Sequence, residues 1–394
     1  MPYSARARSV EPFLAMEFAK RAAALEAGGR SIVRMNIGEP DFGAPPAVLR
    51  AASEAARELR LTYTGALGLP ELREAIAAFH LRAHGVRVDA RRVVVTAGAS
   101  AALLLATAAL VDPGDEVLVA DPSYPCNRQL LSGFGAEVRL VPTDASTRYQ
   151  LDARLLQAHW SGRSRGLMIA SPSNPTGTSV APDELQAICA FARERGAWRV
   201  VDEIYLDLAD PVPGVARSAL AFDDQAVVIQ SFSKYFGMTG WRLGWCVVPE
   251  DMVDVVERLA QNYYICASTL AQHAALQCFS EESIAVCEQR RAEFAARRAL
   301  VLHGLHEAGL RVPVPPDGAF YVYVDVSSTG LDAMSFCERA LDEAGVALTP
   351  GHDFGVCSAR QHVRLSYAAS RAQLQQGLER LGGFVHGLRQ RPTI

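Results

Sequence analysis

The run Ser231-x-Ser233-Lys234, followed by Gly240-Trp241-Arg242-Leu243-Gly244, places two hydroxyls, an amine and a guanidinium in one short connection. Hydroxyls beside a guanidinium suit a phosphate, because Arg offers planar, bidentate, charge-assisted bonds. A lysine among them could form a Schiff base with a carbonyl group, although a lone lysine is more often a solvated surface residue. Upstream, Gly98-Ala99-Ser100 opens an Ala-rich stretch. The first backbone N–H groups of a helix starting there would form an anion site. Alone, that turn could bind any phosphate or none. It lacks the lysine of a Walker loop and the third glycine of a dinucleotide fingerprint.

Further polar residues stand at the ends of short apolar runs: Asp121-Pro122-Ser123-Tyr124, Asn174-Pro175-Thr176-Gly177 and Asp202-Glu203-Ile204-Tyr205. The elements that must position them are legible in outline. Strands are expected at 93–96, 116–119, 137–141, 167–170, 198–201, 227–230 and 243–248, where β-branched residues cluster. Helical stretches lie between most of them, such as 182–195, which opens on Pro-Asp-Glu and stops at Gly196. Strands this continuously apolar suit a sheet covered on both faces, and strand–helix alternation suits parallel connections. In such α/β sheets, ligands collect outside the carboxyl ends of the strands, where these polar residues fall. From about residue 290 the texture changes. A long helix over 287–309, an amphipathic strand over 319–324 and a closing strand over 362–367 suggest a smaller α+β domain. The expected division is a large domain of residues 44–290 and a small one of residues 1–43 with 291–394.

The 394 residues carry 39 basic and 43 acidic side chains, a formal net charge of −4. With 49% apolar and 21% charged residues, the chain is globular rather than disordered. Neither sign of charge dominates, which argues against nucleic acid or an anionic membrane surface as partner. The longest apolar run, 101–111, is about half of the roughly 20 residues that a membrane-spanning helix needs. Cysteines at 126, 189, 246, 266, 278, 287, 337 and 357 show no pairing rhythm, as expected of thiols in a reducing compartment. Arg6 and Arg8 are not followed by a signal-peptide apolar core, so a cytoplasmic protein is expected. There is no Gly-x-Ser-x-Gly elbow for a serine hydrolase. His303 and His306 have no carboxylate or cysteine set beside them, so no metal site is expected.

The Ser-x-Ser-Lys spacing resembles the lysine signature of class I/II aminotransferases, which are fold type I pyridoxal-phosphate enzymes of the aspartate aminotransferase kind. The likeness extends along the chain in order. Asn36-Ile37-Gly38-Glu39-Pro40-Asp41-Phe42 resembles the family's N-terminal substrate loop, and Tyr63-Thr64-Gly65-Ala66-Leu67-Gly68-Leu69-Pro70-Glu71-Leu72-Arg73 its next block. Asn174-Pro175-Thr176-Gly177, Asp202-Glu203-Ile204-Tyr205 and Arg364-Leu365-Ser366-Tyr367 complete the set. The resemblance implies a mostly parallel seven-stranded sheet flanked by helices, with the smaller domain beside it. It also implies pyridoxal 5′-phosphate as cofactor and a homodimer as working unit.

Carried over residue by residue, the resemblance gives Lys234 the Schiff base and the proton transfers. Asp202 pairs with the pyridine nitrogen, while Asn174 and Tyr205 meet the phenolic oxygen. Tyr124 stacks on the ring. The phosphate falls to Ala99, Ser100, Ser231, Ser233 and Arg242, and to Tyr63 reaching across from the neighbouring subunit. Arg364 clamps the substrate carboxylate, with Gly38 and Asn174 nearby. The implied reaction moves an amino group from an L-amino acid to a 2-oxo acid, with 2-oxoglutarate expected, by ping-pong kinetics. A C–S β-lyase or related elimination stays open, because the motifs mark the cofactor rather than the reaction. Phe13, Met16, Tyr124, Asn127 and Tyr323 are the expected pocket lining, more apolar than acidic-specific. Arg128 and Lys20 are cations that the sequence does not place. Neutral or aromatic donors are therefore expected to react better than aspartate.

Overall fold

The computed structural model describes residues 3–212 and 217–390. Its strands are β1 (Val33–Arg34), β2 (Val93–Thr96), β3 (Glu116–Asp121), β4 (Glu137–Pro142), β5 (Ser164–Ala170) and β6 (Trp198–Asp202). They continue with β7 (Val227–Ser231), β8 (Gly244–Val247), β9 (Tyr321–Asp325), β10 (Val346–Ala347), β11 (Thr349–Pro350) and β12 (His362–Ser366). Seven of them form one sheet in the order β2-β8-β7-β6-β5-β3-β4. β8 is antiparallel to both neighbours, and the other pairings are parallel. Every residue of β2, β3, β7 and β8 is buried. Each valine enclosed this way contributes about 1.5–3 kcal/mol, which is why helices cover both faces and the runs are uninterrupted.

All seven runs read from sequence form strands of this sheet, and the informative differences are at their carboxyl ends. β3 continues to Asp121, β6 to Asp202 and β7 to Ser231, so the polar residues are the last residues of buried strands. Register then aligns them. Ala170 pairs with Asp202 across β5 and β6, while Thr96 and Ser231 both pair with Gly244 from opposite sides of β8. One edge of the sheet thus collects the ends of several strands.

Two small sheets lie outside it. β1 pairs in parallel with β10, joining the N-terminal segment to the C-terminal third of the chain. β11, β12 and β9 form an antiparallel sheet. The amphipathic strand expected over 319–324 is β9, two residues shorter at its start, and Tyr321 to Val324 are all buried. Val322 and Val324 join the main core, while Tyr323 enters a separate cluster with Tyr149, Val314 and Phe354. Both faces are covered, so no solvent face exists.

The helix expected from 287 instead spans Glu281–Glu307. Ser280 Oγ accepts the Ser283 N–H at 3.3 Å, and Glu281 and Glu282 occupy the positive first turn. This helix runs through residue 290 and packs on the helix Arg371–Gln390. Gly304 permits the approach, since a Cβ there would sit 2.7 Å from Leu378 Cδ1. Among the described residues, no helix is long and apolar enough to cross a membrane.

Candidate active site

A cavity of about 400 Å³ opens at the carboxyl edge of the large sheet and is closed by β9, β12 and the N-terminal segment. Its anion-binding end is built on glycine. Gly98, at φ +82°, starts the helix Ala99–Leu110 without any side-chain cap, so the first N–H groups, those of Ala99 and Ser100, are left for a ligand. A Cβ on Gly98 would lie 2.6 Å from Arg242 Nη2, and one on Gly244 would lie 2.7 Å from the Ala99 nitrogen. Both positions need hydrogen for the helix start, the arginine and β8 to converge. Ser231 and Ser233 face the same end, with Ser231 Oγ accepting the Ser233 N–H at 3.0 Å. Arg242 is held at φ +52°, an unfavourable region for a residue with a side chain, and its Nη1 donates to the Thr239 carbonyl at 2.9 Å. Such a backbone costs about 1–3 kcal/mol and persists only where its surroundings fix it.

Lys234 occupies the middle. Its Nζ donates to the Gly38 carbonyl at 2.7 Å and lies 5.9 Å from the Tyr205 ring and 5.8 Å from that of Phe320. Gly38 must lack a side chain here, because a Cβ would fall 2.0 Å from the Tyr321 hydroxyl. Burial pulls the Lys234 amine down to about 8, opposed by Glu39 and more weakly by Asp202, and reinforced by Arg364 and Arg242. Asp202 is 3% exposed. Burial lifts its carboxyl to about 6, against the Ile204 N–H it accepts at 3.0 Å and the attraction of Lys234.

Arg364, on β12, is 2% exposed. Its Nη1 donates to Asn174 Oδ1 at 2.9 Å and its Nη2 to the Asn36 carbonyl at 2.7 Å, with Thr349 Oγ1 at 3.4 Å. The guanidinium lies over the Tyr321 ring at 4.5 Å and the Phe354 ring at 4.9 Å. These partners are neutral, and Nε has none. A buried cation with an unsatisfied donor is costly until an anion joins it.

The fold brings Gly38, Ala99, Ser100, Tyr124, Asn174, Asp202, Tyr205, Ser231, Ser233, Lys234, Arg242 and Arg364 to this one cavity. Tyr63 stands apart, 78% exposed on the surface of the chain. Asn174 and Tyr205 have different partners: Asn174 bonds Arg364, and the Tyr205 hydroxyl meets that of Tyr321 at 3.0 Å. Of the expected side-chain lining, Phe13, Met16 and Tyr124 are present. Tyr323 is not. It lies one strand repeat beyond Tyr321 on the same face, stacked on His362 at 4.6 Å. Asn127 is buried in the helix Pro125–Gly133, away from the lining. Arg128 Nη2 is bonded to the Asp353 carbonyl at 3.0 Å, and Lys20 pairs with Glu17 at 2.7 Å on an exposed face. Tyr321, Asn36, Glu39 and Thr239 line the cavity without having been singled out, Thr239 Oγ1 donating to Glu39 at 2.6 Å. The blocks 36–42 and 319–324 contain three of these four, but nothing local distinguishes them. Among the described residues no His/Cys/Asp/Glu group could hold a metal ion, and His303 and His306 are exposed. All eight cysteines are free thiols.

A lysine with a lowered pKa between an anion-binding helix start and a buried carboxylate, in an α/β sheet of this order, defines a fold type I pyridoxal-phosphate enzyme. Residues 30–381 match the family described as aminotransferase class I and II, and the chain belongs to it. It is 40% identical over 378 residues to the valine–pyruvate aminotransferase of Mycobacterium tuberculosis, covering 95% of this chain and 97% of that protein. The crystal structure of an aminotransferase from the same organism superposes with a TM-score of 0.94 at 40% identity, covering 98% of this chain and 100% of that one. The aspartate aminotransferase of Thermus thermophilus with maleate superposes with a TM-score of 0.92 at 34% identity, covering 97% and 99%. Class I and II aminotransferases use pyridoxal 5′-phosphate. The donor set fits that group, since the cradle that a Gly98 side chain would fill suits a phosphate and buried Asp202 suits a cationic ring nitrogen.

Proposed function

We propose that the chain transfers the amino group of a neutral L-amino acid to a monocarboxylate 2-oxo acid such as pyruvate, by a ping-pong mechanism. The observation that carries this reading is the inventory of cations. Among the described residues, Lys234, Arg242 and Arg364 are the ones lining the cavity. Lys234 and Arg242 serve the cofactor and Arg364 the α-carboxylate. The rest of the wall is the apolar Phe13, Ala15, Met16 and Ile37 with the polar Asn36, Glu39, Thr239 and Tyr321, none of which is a cation for a second carboxylate, and Glu39 would repel one. A 2-oxoglutarate acceptor would require such a group, so the lining favours pyruvate over the acceptor expected from sequence. The name of the valine–pyruvate relative agrees with this choice.

When bound, pyridoxal phosphate supplies an electron sink for the charge that develops at the substrate Cα. The helix start at Ala99 and Ser100, with Ser231, Ser233 and Arg242, would hold its phosphate. Asp202 would keep its ring nitrogen protonated, Tyr205 and Asn174 would supply hydrogen-bonding groups for its phenolic oxygen, and Tyr124 would pack against the ring. Arg364 orients the substrate carboxylate. Lys234 Nζ takes the Cα proton and returns it on the other side of the transfer, a role suited to an amine poised near 8. Tyr63 completes the phosphate site of a second copy in a homodimer. Residues 44–290 form the cofactor domain, and residues 1–43 with 291–394 the domain that bears on the substrate.

Values of kcat/KM for L-valine, L-leucine, L-phenylalanine and L-aspartate, each with pyruvate and with 2-oxoglutarate, and for L-alanine with 2-oxoglutarate, test the reading. Neutral donors with pyruvate should lead. Aspartate ahead by tenfold, about 1.4 kcal/mol of transition-state discrimination, would refute it.

A further inference from the structure

We infer that Asp353 is a positioning residue that sets selectivity for the donor side chain by fixing the start of the helix Leu14–Ala27 over the cavity. This rests on the reading that neutral donors occupy that end. The helix begins at Phe13, which supplies no side-chain cap, so its first N–H groups need an acceptor from elsewhere. Asp353 supplies both: Oδ1 accepts from Leu14 N at 2.9 Å and Oδ2 from Ala15 N at 3.0 Å. The carboxylate is 3% exposed and sits at the positive end of the helix.

What it holds is the apolar wall. Phe13, Ala15 and Met16 line the cavity, and Phe13 meets Tyr124 edge-on at 6.1 Å. Asn36 Nδ2 also donates to the Ala15 carbonyl at 3.2 Å, while the Asn36 carbonyl accepts from Arg364. The loop bearing Asp353 is itself pinned. Asp121 accepts the Val356 and Cys357 N–H groups at 3.1 and 3.0 Å, and Ser123 N donates to the Phe354 carbonyl at 2.8 Å. Phe354 lies under the Arg364 guanidinium. One loop therefore sets the distance between the carboxylate clamp and the apolar wall. A donor is measured between them.

The test compares Asp353→Asn and Asp353→Ala with wild-type holoenzyme, using the donor half-reactions of L-leucine and L-alanine, each read as kcat/KM without an acceptor. Loss of a helix cap predicts that kcat/KM for leucine falls about tenfold in the alanine variant, through KM. Alanine, which does not reach the wall, should change by less than about twofold. The asparagine variant keeps one acceptor oxygen and should fall between. In a Phe13→Ala background, Asp353→Asn should cost leucine almost nothing more, because both act through the same wall. Equal losses for both donors, or fully additive losses in the double variant, would overturn the inference. Should the alanine variant fail to fold, the asparagine variant and its Phe13→Ala cycle decide alone. A wild-type enzyme that prefers aspartate would instead refute the function proposed above; the cycle, run with aspartate, would then separate that failure from this one.

Discussion

The Lys234 amine and the Gly38 carbonyl stand 2.7 Å apart, tying the connection after β7 to the N-terminal segment. The group that must move protons is thus oriented by backbone from a distant part of the chain, in a buried setting that holds it near 8.

That value has a direct consequence for pH. A lowered lysine pKa means that the neutral, nucleophilic form predominates above about 8 rather than above the roughly 10.4 of a free lysine. Capture of pyridoxal phosphate by cofactor-free protein should accelerate with pH and level off above about 8.5. Lys234→Ala should bind without covalent capture. A rate still climbing tenfold per unit at pH 10 would contradict the burial argument.

Asp202→Asn keeps the shape and removes the charge. Phosphate contacts should retain the cofactor, while the half-reaction with L-valine slows by about 10²-fold or more, the scale of losing one preorganised electrostatic partner. Stopped-flow absorbance measures both. An unchanged rate would remove Asp202 from the mechanism.

Arg364→Lys keeps the charge but not the planar fork that meets a carboxylate with two bonds. Loss of a charged hydrogen bond, about 1.5–3 kcal/mol, predicts a kcat/KM lower by roughly 10- to 100-fold for every α-amino acid. Losses that depend on the donor side chain would place Arg364 elsewhere in the pocket.

The parts of this site that the sequence made legible share one property: they are local. Asp121, Asp202 and Ser231 end apolar runs, so an interrupted hydrophobic pattern marks both the strand and the catalytic edge. Gly98 and Gly244 stand out as glycines beside chemistry-bearing residues. What failed was depth along an element and partnership across the chain. Tyr321 and Tyr323 look alike in sequence, yet one strand repeat of about 6.6 Å separates a cavity wall from a buried stack. Asn127 stands three residues after Tyr124, but the helix buries it away from the lining. The bond from Asp353 to Leu14 spans 339 positions and leaves no local trace.

Tyr63 carries the prediction about assembly. It is exposed, as are Leu59, Leu61, Tyr263 and Ile265, and Thr269 Oγ1 bonds the Thr62 carbonyl at 2.6 Å, bringing the two segments together. Apolar side chains left in water in this number suit an interface between copies. Sedimentation should show a dimer, and Tyr63→Phe should weaken cofactor retention without dissociating it. Fully active monomers would exclude the arrangement.

The most direct measurement is a single turnover of wild-type holoenzyme with L-valine and no acceptor. Transfer to the enzyme predicts one equivalent of 2-oxo acid per active site, no ammonia, and a second equivalent only after pyruvate is added. No oxo acid from valine, together with continuous release of pyruvate and ammonia from an S-substituted L-cysteine, which carries the β leaving group that valine lacks, would contradict the account.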